Sequence, residues 1–309
     1  MFLIIFLYAL LASTFTIGKI VVDSYFRPFF FIGIRMIPAG ILLLAYLYFF
    51  KRDRFVLRAQ HWLLFLQTIL FHIYAAFILE FWSFQYLTSS KACLLYNTSP
   101  FFAAIFSYFW FQEKMTLKKL AGLSIGFLGF VPILFSESMA EVVEGTFLGF
   151  SWAELALLGS VVSAVYGWTL MRKLVKDHHY SPMMVNGVAM VGGGILALFT
   201  SFLFESEPIL TASVSGLMLG IGYTALLILI ANFIFYNLYG YLLYFYSATF
   251  LSFVGFICPL FAALYGWLVL DEYIGWAYFA SIGIVAVGLY IFYQEELRQG
   301  YIITHKKGS

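Results

Sequence analysis

The segment PFFAAIFSYFWFQE, Pro100–Glu113, is followed 159 residues later by PLFAALYGWLVLDE, Pro259–Glu272. This register sets proline on proline, Phe102 on Phe261, Ala103 and Ala104 on Ala262 and Ala263, and Glu113 on Glu272. It continues without a gap through Ala121 and Ala280, Ile125 and Ile284, and Gly129 and Gly288. Apolar low-complexity sequence aligns by chance at some positions, but it does not readily keep a proline, a glutamate and a glycine at one spacing. The chain is therefore read as two copies of one unit.

The solvent of that unit is lipid. Of 309 residues, 63% are hydrophobic and 10% charged, where a soluble surface needs about 25% charged residues; the mean hydropathy is +0.94. Aromatic residues make up 21%, which suits a lipid-facing exterior with Tyr and Trp at the interfaces. Apolar runs long enough to cross about 30 Å of hydrocarbon are read at 1–18, 28–50, 62–86, 91–111, 119–135, 151–171, 182–204, 214–243, 248–269 and 274–293. The first has no basic residue before Lys19, the reverse of a signal peptide, and is expected to be a retained span. Runs such as Gly40–Phe50 are apolar on every face, which rejects the two-residue alternation of a barrel. The fold class expected is an all-α membrane protein of ten transmembrane helices.

Cations set its direction. With the N-terminus in the cytoplasm, inner segments hold Lys51, Arg52, Arg54 and Arg58, then Lys114, Lys118 and Lys119, then Arg172, Lys173 and Lys176, then Arg298, Lys306 and Lys307. Outer segments hold Glu137, Glu141, Glu144, Glu205, Glu207, Asp271 and Glu272. A unit of five spans reverses when repeated, so the halves, 1–135 and 151–293, are inverted about an acidic external linker at 136–150, with a cytoplasmic tail at 294–309. Inverted halves that rock about a midplane site are a hallmark of secondary carriers. Gly122, Gly126 and Gly129 on the fifth span, and Gly283 and Gly288 on the tenth, are expected to let helices approach closely.

Three charges lie where lipid makes them costly, at about 3 kcal/mol each. Arg35 sits seven residues into the second span, roughly 10 Å below the outer surface. Glu80 comes six residues before the third span emerges on that side, and Lys91 opens the fourth. The repeat gives them no charged counterpart: Tyr239 stands at the Glu80 position and Phe250 at the Lys91 position. Residues that touch an asymmetric ligand are expected to break the symmetry in this way. In one reading Arg35 or Lys91 takes a carboxylate and Glu80 an ammonium or sulfonium; in the other Arg35 and Glu80 form a buried pair that locks two helices. Asn97, one turn before Pro100, adds a polar notch. Tyr96, Trp82, Trp168 and Phe81 are candidates to stack on a purine, and Asn186, Asn232 and Asn237 to supply hydrogen bonds from the other half. His72 is read as a satisfied core imidazole or a proton relay. Glu113 and Glu272 are read as interfacial caps, and Cys93 and Cys258 as buried free thiols.

The stretches Thr88–Leu134 and Ser247–Phe292 resemble the end of the EamA-type repeat of the drug/metabolite transporter superfamily: small residues, a proline within the span, a closing glutamate, then a glycine-spaced helix. That resemblance implies two inverted five-helix repeats around a central cavity. More narrowly, FILEFWSFQYLTSSKA (Phe77–Ala92) and RMIPAGILLL (Arg35–Leu44) are similar to the S-adenosylmethionine/S-adenosylhomocysteine transporters of chlamydial-type intracellular bacteria. This implies a bacterial inner-membrane carrier that takes up S-adenosylmethionine in exchange for S-adenosylhomocysteine, or handles another amino-acid-like metabolite. Substrate-binding residues would be Arg35, Glu80, Lys91, Tyr96, Asn97, Trp82, Trp168 and Asn232. An amino-acid or drug exporter of the superfamily stays open, as does a membrane scaffold or intramembrane enzyme. No P-loop, GxSxG, HExxH or glycine-rich dinucleotide motif occurs, so no enzymatic chemistry, cofactor, metal or nucleic-acid partner is expected.

Overall fold

The computed structural model describes residues 2–87, 95–129, 146–147, 150–211, 213–258, 260–261, 264 and 276–301. Lys91, Cys93, Pro259, Glu272 and most of the expected linker lie outside these residues. The described helices are α1 Phe2–Ser24, α2 Pro28–Phe50, α3 Ala59–Ser83, α4 Ser99–Phe111, α5 Leu117–Leu128, α6 Trp152–Asp177, α7 Pro182–Phe204, α8 Val214–Leu242, α9 Ala248–Ile257 and α10 Trp276–Arg298. Six of them, α1, α2, α3, α6, α7 and α8, are long and apolar enough to cross a membrane. The chain is an all-α, multi-pass membrane protein.

Local chemistry sets the ends. Pro28 and Pro182 open α2 and α7, where a missing N–H costs nothing and the fixed φ suits the first turn. Ser151 and Glu154 form a reciprocal capping box on α6, and Ser213 and Ser247 cap α8 and α9. Besides Lys173–Asp177 at the end of α6, two described helices carry wide turns within their length, Thr68–Ala75 in α3 and Ile228–Phe235 in α8. These π segments fall at matching places in the two halves. Widened turns of this kind recur at functional sites because they rotate one face of a helix relative to the rest.

The halves meet along two glycine seams. A Cβ at Gly33 would stand 3.3 Å from the Gly194 carbonyl, and one at Gly40 would stand 2.7 Å from that of Gly187. Higher numbers on α2 thus meet lower numbers on α7, so these equivalent helices run antiparallel. A Cβ at Gly122 would likewise stand 2.9 Å from the Gly288 carbonyl, and one at Gly129 3.2 Å from the Val285 nitrogen, so α5 and α10 also run in opposite directions. Gly283 departs from expectation, with open space where its Cβ would be. It faces away from α5, next to exposed Ile282.

The connections obey the same inversion. At one end the α1–α2 link meets the α7–α8 link: Phe26 bridges Ile209, and the Glu205 carboxylate accepts from the Phe29 and Phe30 N–H groups, both at 2.9 Å. A carboxylate there complements the helix N-terminus. At the other end the α6–α7 link meets the α2–α3 link. The Tyr180 hydroxyl accepts from the Arg58 N–H at 3.1 Å, and it stands 2.9 Å from His61 Nδ1.

The end that holds the α2–α3 and α6–α7 links also buries ion pairs. Arg172 of α6 meets Glu113 at 2.6 Å, and Lys119 of α5 meets Glu296 of α10. Glu113, read from sequence as an interfacial cap, is only 4% exposed. The Arg172 guanidinium lies 4.1 Å from the Phe111 ring centre.

Candidate functional site

Between the halves lies a cavity of about 160 Å³. The first half gives it charge. Arg35 reaches it from α2 and Glu80 from α3, at 4% and 8% exposure. Tyr96 and Asn97 line it just before α4, and the Tyr96 hydroxyl lies 3.4 Å from the Ser160 hydroxyl. Asn97 Nδ2 has no hydrogen-bond partner among the described residues, which leaves a buried donor at the wall. Aromatic rings come from both halves, Tyr8, Phe77, Phe81 and Phe84 from the first, and the second adds no charge. Trp168 of α6 stands over Tyr239 of α8 with ring centres 4.0 Å apart, and Tyr236 is 5.0 Å from the same indole. Phe235 and Cys258 complete that side.

Arg35 and Glu80 do not form the direct ion pair that a pure helix lock requires; the pairs among the described residues lie elsewhere. Arg35 Nε donates instead to Asn232 Oδ1 at 2.9 Å. The Arg35 guanidinium sits 5.4 Å from the Phe77 ring centre and 5.9 Å from that of Phe31. Such contacts help hold a cation away from water.

Of the residues expected at the site, Arg35, Glu80, Tyr96, Asn97 and Trp168 share the cavity, as does Phe81. Lys91 is outside the described residues. Trp82 is a correction: it packs on Tyr86 at 5.1 Å and is not on the wall, because two residues along a helix turn it about 200° from Glu80. Asn232 is a second correction. It is fully buried behind Arg35 rather than facing the hollow. Asn186 and Asn237 bond to each other. His72, 1% exposed, packs on Trp168 at 4.3 Å and Tyr236 at 5.3 Å, and both its ring nitrogens lack hydrogen-bond partners among the described residues. It is therefore not the satisfied imidazole expected.

With this geometry in place, comparison with known proteins is decisive. Residues 1–135 and 151–294 match the EamA-like transporter family. The chain belongs to that family. It is accordingly a secondary transporter of a small metabolite, and not an enzyme. The EamA-like chain is 38% identical over 305 residues to the S-adenosylmethionine/S-adenosylhomocysteine transporter of Chlamydia muridarum (strain MoPn / Nigg), covering 97% of this chain and 94% of that one. It is 36% identical to the protein of the same name from Chlamydia trachomatis serovar L2, over 97% and 91% of the two chains. A solved structure titled "Crystal structure of protein" superimposes with a TM-score of 0.71 over 96% of both chains at 17% identity, a likeness of fold alone.

Sequence reasoning missed Tyr8, Phe77, Phe235, Tyr236 and Tyr239 on the cavity wall of this EamA-like chain. For Tyr239 a signal was present, since the repeat places it at the Glu80 position. Equivalent positions of inverted repeats face the same central axis.

Proposed function

We propose that the chain takes up S-adenosylmethionine in exchange for S-adenosylhomocysteine across a bacterial cytoplasmic membrane. The observation that carries the reading is a cavity lined by one guanidinium, one carboxylate and aromatic rings from both halves, with Trp168 tilted over Tyr239. That lining matches a solute with an amino-acid head at one end and an adenine at the other. Arg35 takes the carboxylate, Glu80 the ammonium or sulfonium, and Trp168 with Tyr236 and Tyr239 the flat base. Tyr96 and Asn97 add hydrogen bonds, and Lys91 is a further cation for the same head. The names of the chlamydial relatives support this choice of solute.

Charge favours it as well. Arg35 and Glu80 are both buried and each is costly there when alone, and a zwitterion supplies a partner to both. A cavity of about 160 Å³ is smaller than the roughly 300–1,000 Å³ of sites that enclose drug-sized ligands. Admission therefore requires the halves, 1–135 and 151–293, to part at one face and close at the other. Ten crossings with both termini in the cytoplasm place the Lys- and Arg-rich segments inside.

Uptake of labelled S-adenosylmethionine by cells expressing the chain tests the proposal. Unlabelled S-adenosylmethionine and S-adenosylhomocysteine are expected to compete, and other amino acids are not. Accumulation of another amino acid without S-adenosylmethionine would overturn it.

A further inference from the structure

Arg35 belongs to the first half, but the group that orients it belongs to the second. A guanidinium has five N–H donors in a rigid plane, and it can meet a carboxylate along the Nε/Nη side or end-on through its two Nη groups. The Nε/Nη side is already engaged, because Arg35 Nε donates to Asn232 Oδ1 at 2.9 Å.

Asn232 is itself fixed. Its amide nitrogen lies 3.1 Å from Met36 Sδ and 3.6 Å from Met190 Sδ. Thioethers only accept, so its oxygen is the end turned to Arg35. It sits in the π segment Ile228–Phe235, whose wide turn disturbs the regular backbone ladder. Asn237 Nδ2 donates to the Asn232 and Phe233 carbonyls at 3.1 and 2.9 Å. Asn186 of α7 in turn donates to Asn237 Oδ1 at 3.0 Å. The chain Asn186–Asn237–Asn232–Arg35 is thus an uninterrupted series of buried hydrogen bonds.

We propose that Asn232 is a positioning residue that holds Arg35 so that only its end-on Nη pair meets the solute, making recognition of a planar carboxylate depend on the second half. This rests on the reading that Arg35 takes the carboxylate. A solute whose carboxylate is a methyl ester gains one methyl group, keeps its base and loses the anion that the Nη pair matches.

The test compares binding of S-adenosylmethionine and of its carboxyl methyl ester to purified protein, for the wild type and for Asn232→Leu, Asn237→Ala and Arg35→Gln. The wild type is expected to prefer the acid. Asn232→Leu should weaken the acid at least tenfold and leave the ester within twofold. Asn237→Ala should weaken the acid alone by a smaller factor, and it serves where Asn232→Leu does not fold. Equal weakening of acid and ester in both asparagine variants, or no change in either, overturns the positioning role and leaves the Arg35 assignment standing, provided Arg35→Gln abolishes the preference. An acid preference that survives Arg35→Gln overturns the assignment and the positioning role together.

Discussion

Glu113 and Arg172 are 4% and 3% exposed, and Lys119 and Glu296 2% and 0%. Four charges are thus withdrawn from water in two pairs, one joining the two halves through Glu113 and Arg172 and the other tying α5 to the end of α10. Burial of this kind adds little net stability, but loss of one partner strands the other, typically at about 3–5 kcal/mol. Glu113→Leu is accordingly expected to lower the thermal midpoint of the purified protein by several degrees, and Glu113→Leu with Arg172→Met to recover most of that loss. A double variant no more stable than the single would show that the pair is not the unit. This pairing was not legible in the sequence. A glutamate that closes an apolar run beside a lysine-rich loop reads as a residue at the headgroups, and its partner lies in the other half, where only tertiary packing brings it near. The depth and asymmetry of Arg35 and Glu80, by contrast, were legible, because lipid makes any such residue conspicuous.

At the scale of helices, the crossing of α2 and α7 depends on absent side chains. At Gly40 a Cβ would stand 2.7 Å from the Gly187 carbonyl and 2.8 Å from the Val191 nitrogen, and backbone atoms cannot rotate aside. Gly40→Val is expected to reduce the yield of monodisperse protein in detergent severely, whereas Gly222→Ala, whose Cβ meets nothing within 4 Å among the described residues, should leave it unchanged. Equal yields would mean that α2 and α7 are not packed this closely. The seven-residue spacing of Gly33 and Gly40, and of Gly187 and Gly194, carries this seam in the sequence, while the α5–α10 seam was visible from the repeat itself. The π segments were not visible. A widened turn depends on how a helix packs rather than on any residue signature, and it is the turn in α8 that holds Asn232 behind Arg35.

For the whole molecule, the inverted relation of the halves followed from one ungapped register and the sign of the charges near helix ends. Antiparallel contacts along both glycine seams agree with it. What the repeat did not convey is how the halves divide the cavity, with both charges from α2 and α3 while each half adds aromatic rings. That division follows from departures from symmetry, such as Tyr239 in place of a second carboxylate, whose meaning depends on which helix faces are turned inward. A cavity so divided should exchange solutes rather than leak them, since a solute bridging the two walls holds them in register while the cavity changes face. Counterflow in proteoliposomes tests this most directly. Vesicles loaded with S-adenosylhomocysteine should accumulate external labelled S-adenosylmethionine far faster than empty vesicles, and folded Arg35→Gln and Glu80→Gln proteins should lose the difference. Equal uptake by loaded and empty vesicles, or counterflow undiminished in both variants, would contradict the account.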